Sequence, residues 1–176
     1  MKALSIQEPW AALIAAGVKS IETRGLAHRL PGPLYIHASR AKVDQKDPHI
    51  QRLLSLLPEG SLHPGFMMCR CVLKDCLPMD ESFLGWIEAH PLEKLCGEYA
   101  PGRFAWVLEQ VEPLEAPVAA KGHLSLWEWE PPHKPNKNSQ SWFRAGPGCF
   151  SMLFKNGPPP GPGTGPTAPL PRRGPR

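Results

Sequence analysis

The sequence has no apolar run of the roughly 18 residues that a membrane-spanning helix needs. Its first apolar stretch, "ALSI", is too short for the core of a signal peptide, and the polar residues Gln7 and Glu8 follow it at once. We therefore expect a soluble intracellular protein, cytoplasmic or nuclear, without a membrane partner.

Cysteine is also scarce, and its spacing is not that of a disulfide framework. The five cysteines are an odd number without the even spacing of secreted domains: Cys69, Cys71, Cys76, Cys96 and Cys149. A structural zinc site usually combines two closely spaced pairs of ligands, whereas Cys69 and Cys71 alternate in a predicted strand and Cys96 and His90 are scattered. We expect thiols, no metal site and no cofactor.

Acidic residues are absent from residues 131–176, which hold seven of the 20 Lys and Arg. Residues 1–130 contain the other 13 together with all 16 Asp and Glu, a net charge of −3, so the formal charge of +4 arises in the C-terminal part. Bulk charge therefore does not argue that the first 130 residues bind a polyanion. Any such site must be a local patch.

The same boundary appears in the proline and glycine content. Residues 131–176 hold 12 of the 23 prolines and 7 of the 16 glycines, a composition that opposes both helix and sheet. We predict one domain over residues 1–130 and a basic, disordered tail over residues 131–176. The run "PPPGPGTGPTAPLPRR" can form polyproline II, so one hypothesis is a protein-interaction adaptor that uses this tail.

Within residues 1–130, short strand patterns alternate with short helix patterns. The predicted strands are "KALSIQ", "SIETR", "GPLYIHAS", "GFMMCRCVLKDCL", "RFAWVLEQVEPLEAPV", which should bend near Pro113 and Pro117, and "HLSLWEWE". The predicted helices are "PWAALIAAG", "HIQRLLSLL" and one or two in "ESFLGWIEAHPLEKL". This order predicts an α+β domain in which one curled, mainly antiparallel sheet forms a partly open β-barrel flanked by small helices.

The stretch "GVKSIETR", residues 17–24, crowds three charges at the end of an apolar helix. Gly17 suits a left-handed helix end, and the period of two along the following strand places Glu22 and Arg24 on one face, near Lys19. Arginine offers a planar fork for phosphate or a base edge, lysine a mobile charge, and glutamate an acceptor for an amine. The alternative is an ordinary surface ion pair beside a solvated lysine.

Four blocks in order resemble the ASCH domain family: "LSIQEPWAALIAAGVKSIETR", "GPLYIHASR", "GFMMCRCVLKDC" and "FAWVLEQVEPLEAPVAAKGHLSLWEW". Gly17, Lys19, Glu22 and Arg24 match its G-x-K-x-x-E-x-R signature, and Gln7, Pro9 and Trp10 match the preceding Gln-x-Pro-Trp. The resemblance implies a PUA-like barrel with a cleft beside the signature. It also implies that the domain binds RNA or nucleotides and that the protein takes part in RNA processing or transcription coactivation.

The predicted RNA- or nucleotide-binding residues are Gln7, Trp10, Lys19, Glu22, Arg24, His37 and Arg40. Trp10 either stacks on a base or anchors the first helix to the barrel. His37 either lines the cleft with Arg40 or is a hydrogen-bonded structural residue. For Lys121, a solvated loop position is favoured over the cleft rim.

An enzyme is the alternative function, because some small relatives look like amidohydrolases of N4-acetylcytidine or ribonucleases. In that case Lys19 would act as base and Glu22 would activate water as the catalytic residues. The acetylcytidine-cleaving relatives have a threonine where this sequence has Glu22, and Thr23 should point to the opposite face. That departure argues against a threonine nucleophile here.

Overall fold

The structure, a computed structural model, describes residues 1–28 and 31–131. Residues 132–176, with nearly all of the predicted tail and Cys149, lie outside the described residues. In the part that is described, no helix is long and apolar enough to cross a membrane.

Six strands form a single sheet in the described residues: β1 (Lys2–Ile6), β2 (Ile21–Arg24), β3 (Gly32–Ala38), β4 (Phe66–Pro78), β5 (Phe104–Ala119) and β6 (Leu126–Glu128). Four short helices accompany them: α1 (Trp10–Ala15), α2 (Pro48–Leu54), α3 (Glu81–Glu88) and α4 (Pro91–Leu95). The sheet has the order β2-β5-β4-β3-β1-β6 and curls into a half-barrel. The predicted α+β fold is thus confirmed, although the last strand is shorter than "HLSLWEWE".

The β1–β3 pair is the one parallel pair among these neighbouring strands, and the other neighbours run antiparallel. The chain leaves β1, passes through α1 and β2, and returns in β3 beside its starting strand. In this register Leu4 lies opposite Ile36, both fully buried, and Ser5 lies opposite His37. The parallel pairing therefore places these two polar residues side by side.

Helix α1 begins one residue later than predicted, at Trp10, and both of its ends have identifiable features. Pro9 immediately precedes the helix, and the buried carboxylate of Glu8 accepts hydrogen bonds from the backbone N–H of Ala12 and of His63, each at 3.0 Å. Gly17 then has a φ of 71°, the left-handed conformation that glycine adopts without a steric penalty. The chain reverses there and enters β2.

The long strands β4 and β5 pair with three interruptions of register. One falls at residues 113–118, opposite Met67 and Cys69, where the prolines predicted a bend. A second falls at Gln110, a non-glycine residue with a φ of 52°, which carries no comparable signal in the sequence. Such bulges bend a strand and increase its twist, and this accounts for the curl of the sheet.

Candidate functional site

Glu22 and Arg24 project from the same face of β2, as the strand period predicts. Arg24 Nε lies 3.1 Å from Glu22 Oε1, and Arg24 Nη2 donates a hydrogen bond to the carbonyl of Ser5 at 3.2 Å. The guanidinium carbon also lies 5.9 Å from the centroid of the Trp106 ring, within the range of a cation–π contact. Arg24 is therefore fixed by three partners, while 28% of its side chain remains exposed.

Lys19 lies beneath this pair, with only 1% of its surface exposed. Its ammonium donates to the carbonyl of Ile21 and, at 2.9 Å, to the carbonyl of Cys96, and Glu22 Oε2 is 3.7 Å away. Two of the three N–H donors of the lysine are thus used by backbone carbonyls, and Glu22 pairs with the charge from beyond hydrogen-bond distance. Lys19 was predicted to lie in the cleft as a mobile charge. It lies inside the domain, and its binding or catalytic role stays a prediction.

A second buried ionisable residue, which was not predicted from the sequence, supports the same turn. Glu93 in α4 is 1% exposed, and its carboxylate accepts hydrogen bonds from Ser20 N at 2.9 Å, Ser20 Oγ at 2.8 Å and Ile21 N at 3.1 Å. Tyr99 donates its hydroxyl proton to the same carboxylate at 2.9 Å. Burial, followed by the charge of Glu93, raises the pKa of the Tyr99 phenol well above its usual value, so it stays a donor.

A cleft of about 770 Å³ opens beside β1 and β3, under the loop that follows β5. Its lining residues are Ser5, His37, Ser39, Arg40, Ala41, Ala119, Ala120, Lys121, Gly122, His123 and Leu124. Of the predicted site residues, His37 and Arg40 line it. Lys121 lies in the loop after β5, the position favoured from the sequence, and its side chain also lines the cleft. None of the described lining residues is Asp or Glu, so every charged side chain of the lining is basic.

The other predicted residues lie outside this lining. Arg24 reaches it indirectly, through its hydrogen bond to the carbonyl of Ser5. Gln7 Nε2 donates to the carbonyl of Lys42 at 2.8 Å. Trp10 is half-buried and packs against two of the apolar clusters, a contact that anchors α1 to the sheet. Its stacking on a base stays a prediction.

Ser5 and His37 form a hydrogen-bonded pair on the wall of the cleft. Ser5 Oγ lies 3.2 Å from His37 Nδ1, and the other ring nitrogen, Nε2, lies 3.3 Å from the carbonyl of Ala120. Trp127 Nε1 donates to Ser5 Oγ at 3.1 Å. Gly122 packs against the imidazole so closely that an added Cβ would collide with the ring. Residue 122 must therefore be glycine, because its backbone lies against the His37 ring.

The described residues contain no cluster of metal ligands, and their buried cysteines are poor nucleophiles. In residues 1–28 and 31–131, no three His, Cys, Asp or Glu side chains come together as a metal site. Burial raises the pKa of Cys71 to about 12 and that of Cys96 to about 11, so both thiols are protonated at neutral pH. Thiolate reactivity at these two positions is suppressed.

A model of the ASCH domain family matches residues 4–118 of the chain. The chain belongs to the ASCH domain family. No curated protein matches it. The ASCH match includes the signature, Ser5, His37 and Arg40, and it ends just before the loop that carries Lys121, Gly122 and His123. One wall of the cleft thus lies within the matched region and the opposite wall lies beyond it.

The environment of His37 predicts how stability depends on pH. Burial lowers the pKa of His37 below 6.5, and the positive charges of Arg40 and His123, which face the ring from the cleft, act in the same direction. As pH falls below 6.5, the unfolded chain binds a proton at this position before the folded domain does. The contribution of neutral His37 to the free energy of unfolding is therefore lost as pH falls from 6.5 to the lower pKa of His37 in the folded state.

Urea unfolding at pH 7.5 and at pH 5.5 measures this effect. We expect the wild type to lose more stability between the two conditions than His37→Asn does, because the variant has no imidazole to protonate. An equal loss in both proteins would contradict the assignment.

Proposed function

We propose that this ASCH domain binds RNA or a nucleotide in the cleft formed by β1, β3 and the loop after β5. The observation that carries the proposal is the charge of the cleft: Arg40, Lys121 and His123 line it without a carboxylate, although residues 1–130 carry a net charge of −3. Sequence composition alone required a local basic patch, and this cleft is one.

The size and shape of the cleft support the same proposal. Its volume of about 770 Å³ lies within the range of pockets that hold small ligands, roughly 300–1,000 Å³. Arg40 and Lys121 are exposed and supply charge for phosphate oxygens, while Ser39 offers a hydroxyl as donor and acceptor. A mononucleotide, or one or two nucleotides of a single strand, fits such a site better than a duplex does.

Charge removal in the cleft tests the proposal. Arg40→Gln/Lys121→Gln in the full chain is expected to weaken binding of a fluorescent single-stranded RNA about tenfold. Loss of two phosphate contacts should reduce the slope of log K against log salt by about 1.4. Fluorescence anisotropy at several salt concentrations measures both quantities.

The matched control is Arg70→Gln/Lys74→Gln, which removes the same charge from exposed positions of β4 outside the cleft. It should leave affinity nearly unchanged. If RNA affinity fell equally in the two variants, the cleft would not be the binding site, and the tail would be the favoured site. Chromatography of the same samples, with N4-acetylcytidine as a second ligand, would show products if the hydrolase alternative holds.

A further inference from the structure

The Ser5–His37 pair has the donor and acceptor arrangement of a nucleophile and its general base. The carbonyl of Ala120 can only accept, so the hydrogen of the neutral imidazole is assigned to Nε2. Nδ1 then carries the lone pair, and the hydrogen on Ser5 Oγ points to it across 3.2 Å. The tautomer needed for proton abstraction is therefore set by the backbone.

The hydrogen bonds of Ser5 Oγ leave one lone pair free to attack a ligand. Its hydrogen is donated to His37, and the indole of Trp127, which can only donate, occupies one of its two lone pairs. One lone pair remains. Ser5 is half-buried and lines the cleft, whereas His37 is 2% exposed behind it, so the hydroxyl faces the ligand space and the base is shielded from water.

We propose that Ser5 and His37 form a catalytic dyad that hydrolyses a small acyl ester bound in the cleft. This activity is separate from RNA or nucleotide binding and uses neither Lys19 nor Glu22. Two features define the ester. The base is oriented by a carbonyl rather than a carboxylate, so the resulting imidazolium is weakly stabilised, and an ester leaving group demands less of it than an amide does. The basic lining favours an ester that carries an anionic group.

The reaction balances with water as the only co-reactant. Ser5 Oγ bonds to the acyl carbon, the carbonyl π electrons move to its oxygen, and the Oγ proton moves to His37 Nδ1. The carbonyl then reforms, the ester C–O bond breaks, and the leaving alkoxide takes the proton from Nδ1. Water attacks the acyl-serine, its proton passes through His37 to Ser5 Oγ, and a carboxylic acid leaves.

Covalent labelling of the full chain tests the dyad directly. A fluorophosphonate probe and 4-nitrophenyl acetate should each modify Ser5, as shown by intact mass and peptide mapping. Ser5→Ala should abolish the adduct, and His37→Asn should slow its formation about 100-fold. Ser82→Ala is the control, because this exposed serine of α3 lies outside the cleft and makes no side-chain hydrogen bond within the described residues; labelling of Ser5 should be unchanged.

The pH profile separates catalysis from a structural role. The labelling rate should fall as His37 becomes protonated, with a midpoint below pH 6.5 because burial, Arg40 and His123 lower its pKa. If His37→Asn fails to fold, Ser5→Cys keeps the size of the side chain, and its thiol should react with iodoacetamide faster than Cys76 does. Absence of a Ser5 adduct, or labelling of Ser5 that matches the urea-unfolded chain, overturns the proposal. RNA affinity is measured separately and does not affect this result.

Discussion

Replacing Glu93 by alanine is expected to lower the free energy of unfolding by roughly 3–5 kcal/mol. The buried carboxylate accepts hydrogen bonds from the backbone and hydroxyl of Ser20, from the backbone of Ile21 and from Tyr99. Alanine would leave these donors buried without an acceptor. Urea unfolding of the full chain at pH 7.5 measures the loss.

Glu88 supplies the matched control, since it lies a few residues earlier and pairs with Lys94 at 2.6 Å on the surface. The two side chains are 64% and 49% exposed, so Glu88→Ala should cost less than about 1 kcal/mol. If Glu93→Ala cost no more than Glu88→Ala, the hydrogen bonds of Glu93 would contribute nothing net to folding, and the support we assign to it would be wrong.

Two buried charges thus hold the ASCH signature from inside. Glu93 binds the backbone of the turn that leads into β2, and Lys19 binds the carbonyl of the first residue of that strand. Glu22 lies between the buried lysine and the partly exposed Arg24. Because Arg24 in turn bonds to the carbonyl of Ser5, the signature is connected to the cleft through the backbone of β1.

The sequence predicted the local part of this arrangement. Alternation along "SIETR" placed Glu22 and Arg24 on one face, and their side chains meet at 3.1 Å. The inward turn of Lys19 could not be predicted, because one of its acceptors is the carbonyl of Cys96, 77 residues later in the chain. Glu93 was missed for the same reason: "PLEKL" reads as an ordinary short helix, and its buried acid acquires partners only in the folded domain.

The cleft shows a similar division. The strand "GPLYIHAS" carries His37, and Arg40 follows its end; lining of the cleft was one of the two interpretations given for His37, and both residues line the cleft. Ser5 was not predicted as a site residue, because its position opposite His37 depends on the parallel pairing of β1 with β3. A strand pattern does not specify its partner. The strand pattern "HLSLWEWE" included His123, but β6 begins only at Leu126, so His123 lies in the loop before the strand.

Replacing Lys19 by methionine is expected to lower the free energy of unfolding by about 3 kcal/mol. Methionine fills much of the same volume, so the loss comes from the carbonyls of Ile21 and Cys96, which would be left without their donor, and from Glu22, which would keep only Arg24. Lys94→Met removes an exposed lysine of a surface pair and should cost less than about 1 kcal/mol. Urea unfolding compares the two.

The double variant Lys19→Met/Glu22→Gln distinguishes the two sources of that loss. If the lost ion pair between Lys19 and Glu22 dominates, the neutral glutamine should restore part of the stability, and the two changes together should cost less than their sum. If the orphaned carbonyls dominate, the costs should add. In either case RNA affinity must be compared among variants that are folded to the same extent. Loss of a buried lysine destabilises the domain, and this alone would lower the measured affinity. Affinity that falls in Lys19→Met at full folding would instead support the predicted binding role of this residue.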